Sequence, residues 1–211
     1  MKTKTIYLST TFVIVWFAII LQFILGMKLW LDQGMTVFGS VVQFFSFFTI
    51  LSNILVGLCV GSLLATAFSG SNNFLTRPPV LTAVTVYITV VGLGYAFLLR
   101  HLWNPQGLQW VADELLHSVS PILFVLFWLI FVPKKELNYT HILSWMVFPF
   151  LYIVFILIRG ALADTYPYPF IDVNELGYVQ VTTTMLVFTG AFIFLSAMFV
   201  LAGKVISKMK E

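Results

Sequence analysis

Few residues in this chain can do chemistry, and those few lie in apolar surroundings. His117 stands in the run Leu115-Leu116-His117-Ser118-Val119-Ser120-Pro121, with Asp113 and Glu114 about one turn before it. A set of hydroxyls stands in Phe44-Phe45-Ser46-Phe47-Phe48-Thr49-Ile50-Leu51-Ser52-Asn53, and Arg159 lies near the end of another apolar stretch. An ionisable side chain in hydrocarbon is costly, so each is a functional candidate by default. Threonine and serine hydroxyls are weak nucleophiles until a neighbouring base takes the proton, and histidine is the usual base. His117 is the histidine at useful depth: His101 belongs to a rim and His141 to the opposite end. Ser46, Thr49, Ser52, Ser118 and Ser120 are the candidate hydroxyls. Arg159 or Asn53 is suited to stabilising an oxyanion. The parts are those of a hydrolytic site, and composition alone does not select among them.

Competing readings are simpler. A threonine within a membrane helix commonly returns its hydroxyl to the carbonyl four residues back. The polar stripe Gln43, Ser46, Thr49 and Asn53 would then serve as interhelical glue. Arg159 would pair with Asp113, Glu114 or Asp164, and His117 would be a hydrogen-bonded core residue. No two histidines have helical ligand spacing, Cys59 is alone, and phosphate-binding glycine loops are missing. No metal and no cofactor is therefore expected.

The elements that must position these groups are long apolar helices. The 211 residues are 60% hydrophobic and 9% charged, where soluble domains carry about 25% charged residues. Mean hydropathy is +1.01. A spanning helix needs roughly 20 apolar residues, and six such runs are read at about 6–30, 40–67, 80–101, 113–132, 141–163 and 177–203. The expected fold is all-α: a polytopic membrane protein, residues 1–211 forming one bundle of six transmembrane helices. The first run is too long for a signal-peptide core and has no small-residue cleavage site, so it is expected to be a retained anchor.

Lys2, Lys4, Arg77, Lys134, Lys135, Lys204, Lys208 and Lys210 fall on one side of these spans, eight of the 11 basic residues. The positive-inside rule then places both termini in the cytoplasm of a cell-membrane protein. The net charge of +3 reads as anchoring to anionic lipid, with no nucleic-acid partner expected. At about 1.5 Å rise per residue, Thr49 lies roughly 13 Å and His117 roughly 6 Å below the outer face, within uncertain helix ends. Arg100, Asp113, Glu114 and Arg159 share that outer half. Pro121 has no N–H for the carbonyl of His117, and Pro149 none for Trp145, so a kink is expected at each. Trp103, Trp110 and the segment Tyr166-Pro167-Tyr168-Pro169-Phe170 suit an outer aromatic rim.

The helix-two stretch from Phe44 to Asn53 resembles a signature of bacterial relatives of the androgen-induced family of integral-membrane hydrolases. Leu115 to Pro121 resembles its histidine motif, and Arg159-Gly160 with Tyr166-Pro167-Tyr168-Pro169-Phe170 its Arg-Gly and Tyr-Pro-Phe region. The three blocks, in this order on six spans, cover essentially the whole chain. The resemblance implies a multipass hydrolase with a threonine nucleophile on Thr49 and its histidine partner on His117, acting on fatty acid esters of hydroxy fatty acids or similar lipid esters. Ser46, Asn53 and Arg159 are expected to bind substrate or stabilise the oxyanion, and Asp113 or Glu114 to orient His117. The expected partners are membrane lipids and a lipid-ester substrate; the oligomeric state is open. The alternative is a protein that binds or carries a lipid or small amphiphile without chemistry.

Overall fold

Apolar chain in hydrocarbon must satisfy its own backbone N–H and C=O groups, and this one does so in helices. The structure, a computed structural model, describes residues 2–70, 72–102 and 104–209. Among them there is no strand. Met1, Ser71, Trp103, Lys210 and Glu211 lie outside the described residues, and with them the expected place of Trp103 in an aromatic rim and the terminal charges of Lys210 and Glu211. Six helical stretches are long and apolar enough to cross a membrane. The chain is an all-α, multi-pass membrane protein.

It divides into two compact units, Met1–Pro133 and Lys134–Glu211. In the first, the helices are α1 (Lys2–Asp32), α2 (Val37–Phe45), α3 (Phe48–Ser69), α4 (Pro78–Gly94), α5 (Leu108–Glu114) and α6 (Ser120–Phe131). A π turn, Tyr95–Leu99, extends α4, and a second, Leu115–Val119, joins α5 to α6. Four membrane-length rods result, and each packs on the next: α1 on α3, α3 on α4, α4 on α6, and α5 with α6 back on α1. This is a closed four-helix arrangement of the kind that short connections favour. In hydrocarbon such packing depends on close approach rather than on the hydrophobic effect. Gly57 and Gly61, one turn apart on α3, supply it. A Cβ on Gly57 would sit 3.0 Å from Trp16 Nε1, and one on Gly61 3.1 Å from the Phe12 ring.

The run expected as one helix over 40–67 is broken. α2 ends at Phe45, Phe47 is extended (φ −88°, ψ 125°), and α3 begins at Phe48. The aromatic residues around the break explain why it holds. Phe44 packs edge-on against Phe23 at 5.0 Å, and Phe47 stacks on Trp30 at 6.3 Å. Phe23 and Trp30 are seven residues apart on α1, about 10.5 Å by helical rise, whereas a continuous helix from Phe44 to Phe47 would rise only about 4.5 Å, so the extended residue lets the two rings take separate sites.

The second unit comprises α7 (His141–Trp145), α8 (Val147–Ala163) and α9 (Val173–Lys208). α7 and α8 form one membrane-length stretch interrupted at Met146, next to the carbonyl of Trp145 that Pro149 cannot serve. Asp172 caps α9, its Oδ1 accepting N–H bonds from Asn174 at 2.9 Å and Glu175 at 3.4 Å. Gly177 (φ 74°) kinks the same helix. The Tyr-Pro-Tyr-Pro-Phe segment packs inward: Tyr166, Tyr168 and Phe170 cover a core of Ile156, Ile171, Val173 and Val181.

Candidate active site

The break before α3 and the π turn after α5 each deliver one side chain to a common point. Thr49 is the second residue of α3, where the amides of a helix's first turn have no carbonyl of their own helix to reach. Phe47 O takes the N–H groups of Ile50 and Leu51. Thr49 Oγ1 does not return to its own backbone. It meets His117 Nε2 at 3.2 Å, from a helix that lies 68 residues on.

The other ring nitrogen fixes the direction of that bond. His117 Nδ1 lies 3.0 Å from the carbonyl oxygen of Asp113 and 3.2 Å from its Oδ1. Both are acceptors, so Nδ1 carries the hydrogen. In the neutral imidazole Nε2 is then left with a lone pair, and the Thr49 hydroxyl donates to it. Thr49, His117 and Asp113 therefore have the connectivity of a nucleophile, a base and an orienting carboxylate. Thr49 is 7% and Asp113 5% exposed.

Tyr95 completes the surroundings of the imidazole. Its ring stacks on His117 with centroids 4.4 Å apart and planes 19° from parallel. Its hydroxyl donates to Asp113 Oδ2, the oxygen His117 does not use. Arg100 lies over the Tyr95 ring, 5.5 Å from its centroid, and forms an ion pair with Glu114. Glu114 also accepts from Ser118 Oγ at 2.7 Å. Of the two carboxylates expected as candidates to orient His117, Asp113 lies at the imidazole and Glu114 is engaged in the Arg100 pair.

A π turn admits one extra residue and occurs often at functional sites. Here it also resolves the proline problem. In the five-residue register, seen in the bond from Ser120 N–H to Leu115 O, the carbonyl opposite Pro121 is that of Leu116. Asn53 Nδ2 donates to this Leu116 O at 3.1 Å and to Thr49 O at 2.9 Å. Where a simple kink at Pro121 was expected, the structure has a widened register, and Asn53 gives the Leu116 carbonyl the hydrogen that Pro121 cannot. Gly92 lets α4 approach here, since a Cβ on it would lie 3.2 Å from Pro121 Cβ and 3.4 Å from His117 O.

The expected oxyanion donors are differently employed. Asn53 spends its amide hydrogens on two carbonyls and so ties α3 to the π turn. Ser46 Oγ donates to Val42 O at 2.7 Å. Arg159 belongs to the second unit, where its Nη1 donates to Thr165 Oγ1 at 3.0 Å and to the Thr165 carbonyl. Gly160 beside it receives the Tyr166 ring so closely that a Cβ would overlap it. The Arg-Gly and Tyr-Pro pairs are explained locally as one chain reversal after α8.

Sequence reasoning missed Tyr95 as a site residue. Its one signal was its place near the end of the third apolar run, five residues before Arg100. Compared with protein-family models, curated proteins and solved structures, the chain matches none.

Proposed function

We propose that this protein is an intramembrane hydrolase of lipid-like carboxylic esters, with Thr49 as nucleophile, His117 as general base and acid, and Asp113 as the group that orients His117. One observation carries the reading: the Thr49 hydroxyl donates to an imidazole whose other nitrogen is held by acceptors alone. The resemblance of the surrounding motifs to the androgen-induced family agrees with it.

In the first step Thr49 Oγ forms a bond to the ester carbonyl carbon while its proton passes to His117 Nε2. The tetrahedral intermediate expels the alcohol: its C–O bond breaks, and His117 returns the proton to the leaving oxygen. A water then loses a proton to Nε2 and attacks the acyl-threonine. Collapse breaks the bond to Oγ, Thr49 recovers its proton, and the carboxylic acid leaves. Asp113 stabilises the imidazolium formed in both halves. The positive end of the α3 dipole suits the oxyanion, because a helix N-terminus favours negative charge. With the basic residues inside, both termini are cytoplasmic and the pair lies in the outer half of a cell membrane, near the depth of an ester carbonyl at the headgroup boundary.

The test is labelling of detergent-solubilised protein with a fluorophosphonate, followed by peptide mass spectrometry. An adduct on Thr49 that is lost in His117→Ala is the expected result. Folded wild-type protein that takes no label, and that hydrolyses no long-chain ester, would overturn the reading in favour of a lipid-binding protein.

A further inference from the structure

Beyond the proposed nucleophile and base, one residue holds the base in place, and we infer that Tyr95 is a positioning residue that acts on His117 through Asp113. The inference rests on the hydrolase reading. Tyr95 touches the imidazole in two separate ways. Its ring lies against the ring of His117, which restricts rotation of the imidazole out of the Thr49 line. Its hydroxyl binds Asp113 Oδ2, which leaves Oδ1 directed at Nδ1. A carboxylate with one oxygen bound elsewhere has a single orientation to offer, and the imidazole then has a single tautomer.

Two features make this arrangement specific. Tyr95 begins one π turn and His117 sits at the middle of the other. Two widened turns on neighbouring helices therefore face each other, and Gly92 permits the approach. Tyr95 is also 4% exposed, so its hydroxyl does not exchange Asp113 for bulk water. The charged groups around the pair are Arg100 above the tyrosine ring and Glu114, which Arg100 and Ser118 engage. Asp113 is thus the acceptor that the Tyr95 hydroxyl has, and His117 the donor that Asp113 Oδ1 has among the contacts described.

The experiment measures fluorophosphonate labelling as a maximal rate and a half-saturating concentration, in wild type, Tyr95→Phe, Asp113→Asn and the double variant. Tyr95→Phe keeps the stacked ring and removes only the hydroxyl. The expected result is a fall of about tenfold in maximal rate at unchanged half-saturation, the size of one hydrogen bond to a charged group. In the Asp113→Asn background the same change should cost nothing further, because a residue that acts through another has no effect once that partner is lost. A Tyr95→Phe rate equal to wild type, or a full additional loss in the double variant, overturns the inference. The two readings fail separately. Labelling that survives Thr49→Ala overturns both, whereas labelling abolished by Thr49→Ala and His117→Ala but indifferent to Tyr95→Phe overturns this one alone.

Discussion

Thr85 and Thr49 are the same residue in neighbouring helices of one unit, both buried, and they do opposite things. Thr85 lies in unbroken α4 and donates to Leu81 O at 2.7 Å; Thr82 and Thr89, a turn or less away, make the same bond to Pro78 O and Thr85 O. A helix offers a threonine the carbonyl four residues back, and these three take it. Thr49 escapes because the chain is extended at Phe47. Four residues back is Phe45, the last residue of another helix, and the hydroxyl is free to meet His117. The difference between these back-bonded threonines and the one that meets a histidine is one non-helical residue.

The largest effect that would break this comparison is in turnover. Thr49→Ala should lower ester hydrolysis by about three orders of magnitude or more, as loss of a nucleophile does, while Thr85→Ala should leave kcat/KM within about twofold, in line with a contact remote from the reacting atoms. Similar losses in both would mean that the break before α3 confers nothing. Next is Asp113→Asn, which retains size but no longer enforces hydrogen on Nδ1. A fall of about a hundredfold or more in kcat is expected, seen most clearly in pre-steady-state acylation.

Smaller effects sharpen the picture. Asn53→Leu removes the donor that reaches the Leu116 carbonyl, while the Thr49 carbonyl keeps its helical backbone partner, a cost of about 1–3 kcal/mol for the one buried polar group so exposed. A lower midpoint in thermal unfolding, together with slowed labelling, is the expected outcome; unchanged melting would show that the tie between α3 and the π turn is dispensable. Gly92→Ala should slow labelling severalfold with a stability change of about 1 kcal/mol, since a single methyl must move Pro121 by a few tenths of an ångström. Smallest of all, Thr85→Val exchanges a back-bonded hydroxyl for a methyl, and should shift stability by less than about 1 kcal/mol with no change in rate.

The helices were legible because hydrocarbon imposes length and apolarity together, and 20 such residues leave little ambiguity. The pairing of Thr49 with His117 came from the resemblance of their motifs, because residue type and depth left five hydroxyls open. What escaped the sequence are departures from helical periodicity. The stripe Gln43, Ser46, Thr49 and Asn53 has the spacing of one face, yet the extended Phe47 divides it. No breaker residue marks the spot, since rings packing on Phe23 and Trp30 hold it. Pro121 signalled an irregularity correctly, but a missing N–H does not reveal whether the chain kinks or adds a residue. That choice depended on Asn53, 63 residues earlier, being present to take the Leu116 carbonyl. Tyr95 escaped because a tyrosine near the end of an apolar run is the commonest of interfacial residues.

The π turn before α6 also ties the fate of the site to that of the core. An extra residue turns everything after it by about 100° around the helix axis. Phe124, Phe127 and Trp128 are buried in the phase that this insertion sets, and Trp128 Nε1 reaches Thr82 Oγ1 at 2.8 Å only in that phase. Deleting one residue between Leu115 and Val119 would restore a regular helix at the cost of rotating those rings toward lipid. The widened turn is therefore hard to lose by gradual change, because the irregularity that presents the histidine also keeps α6 in step with its neighbours.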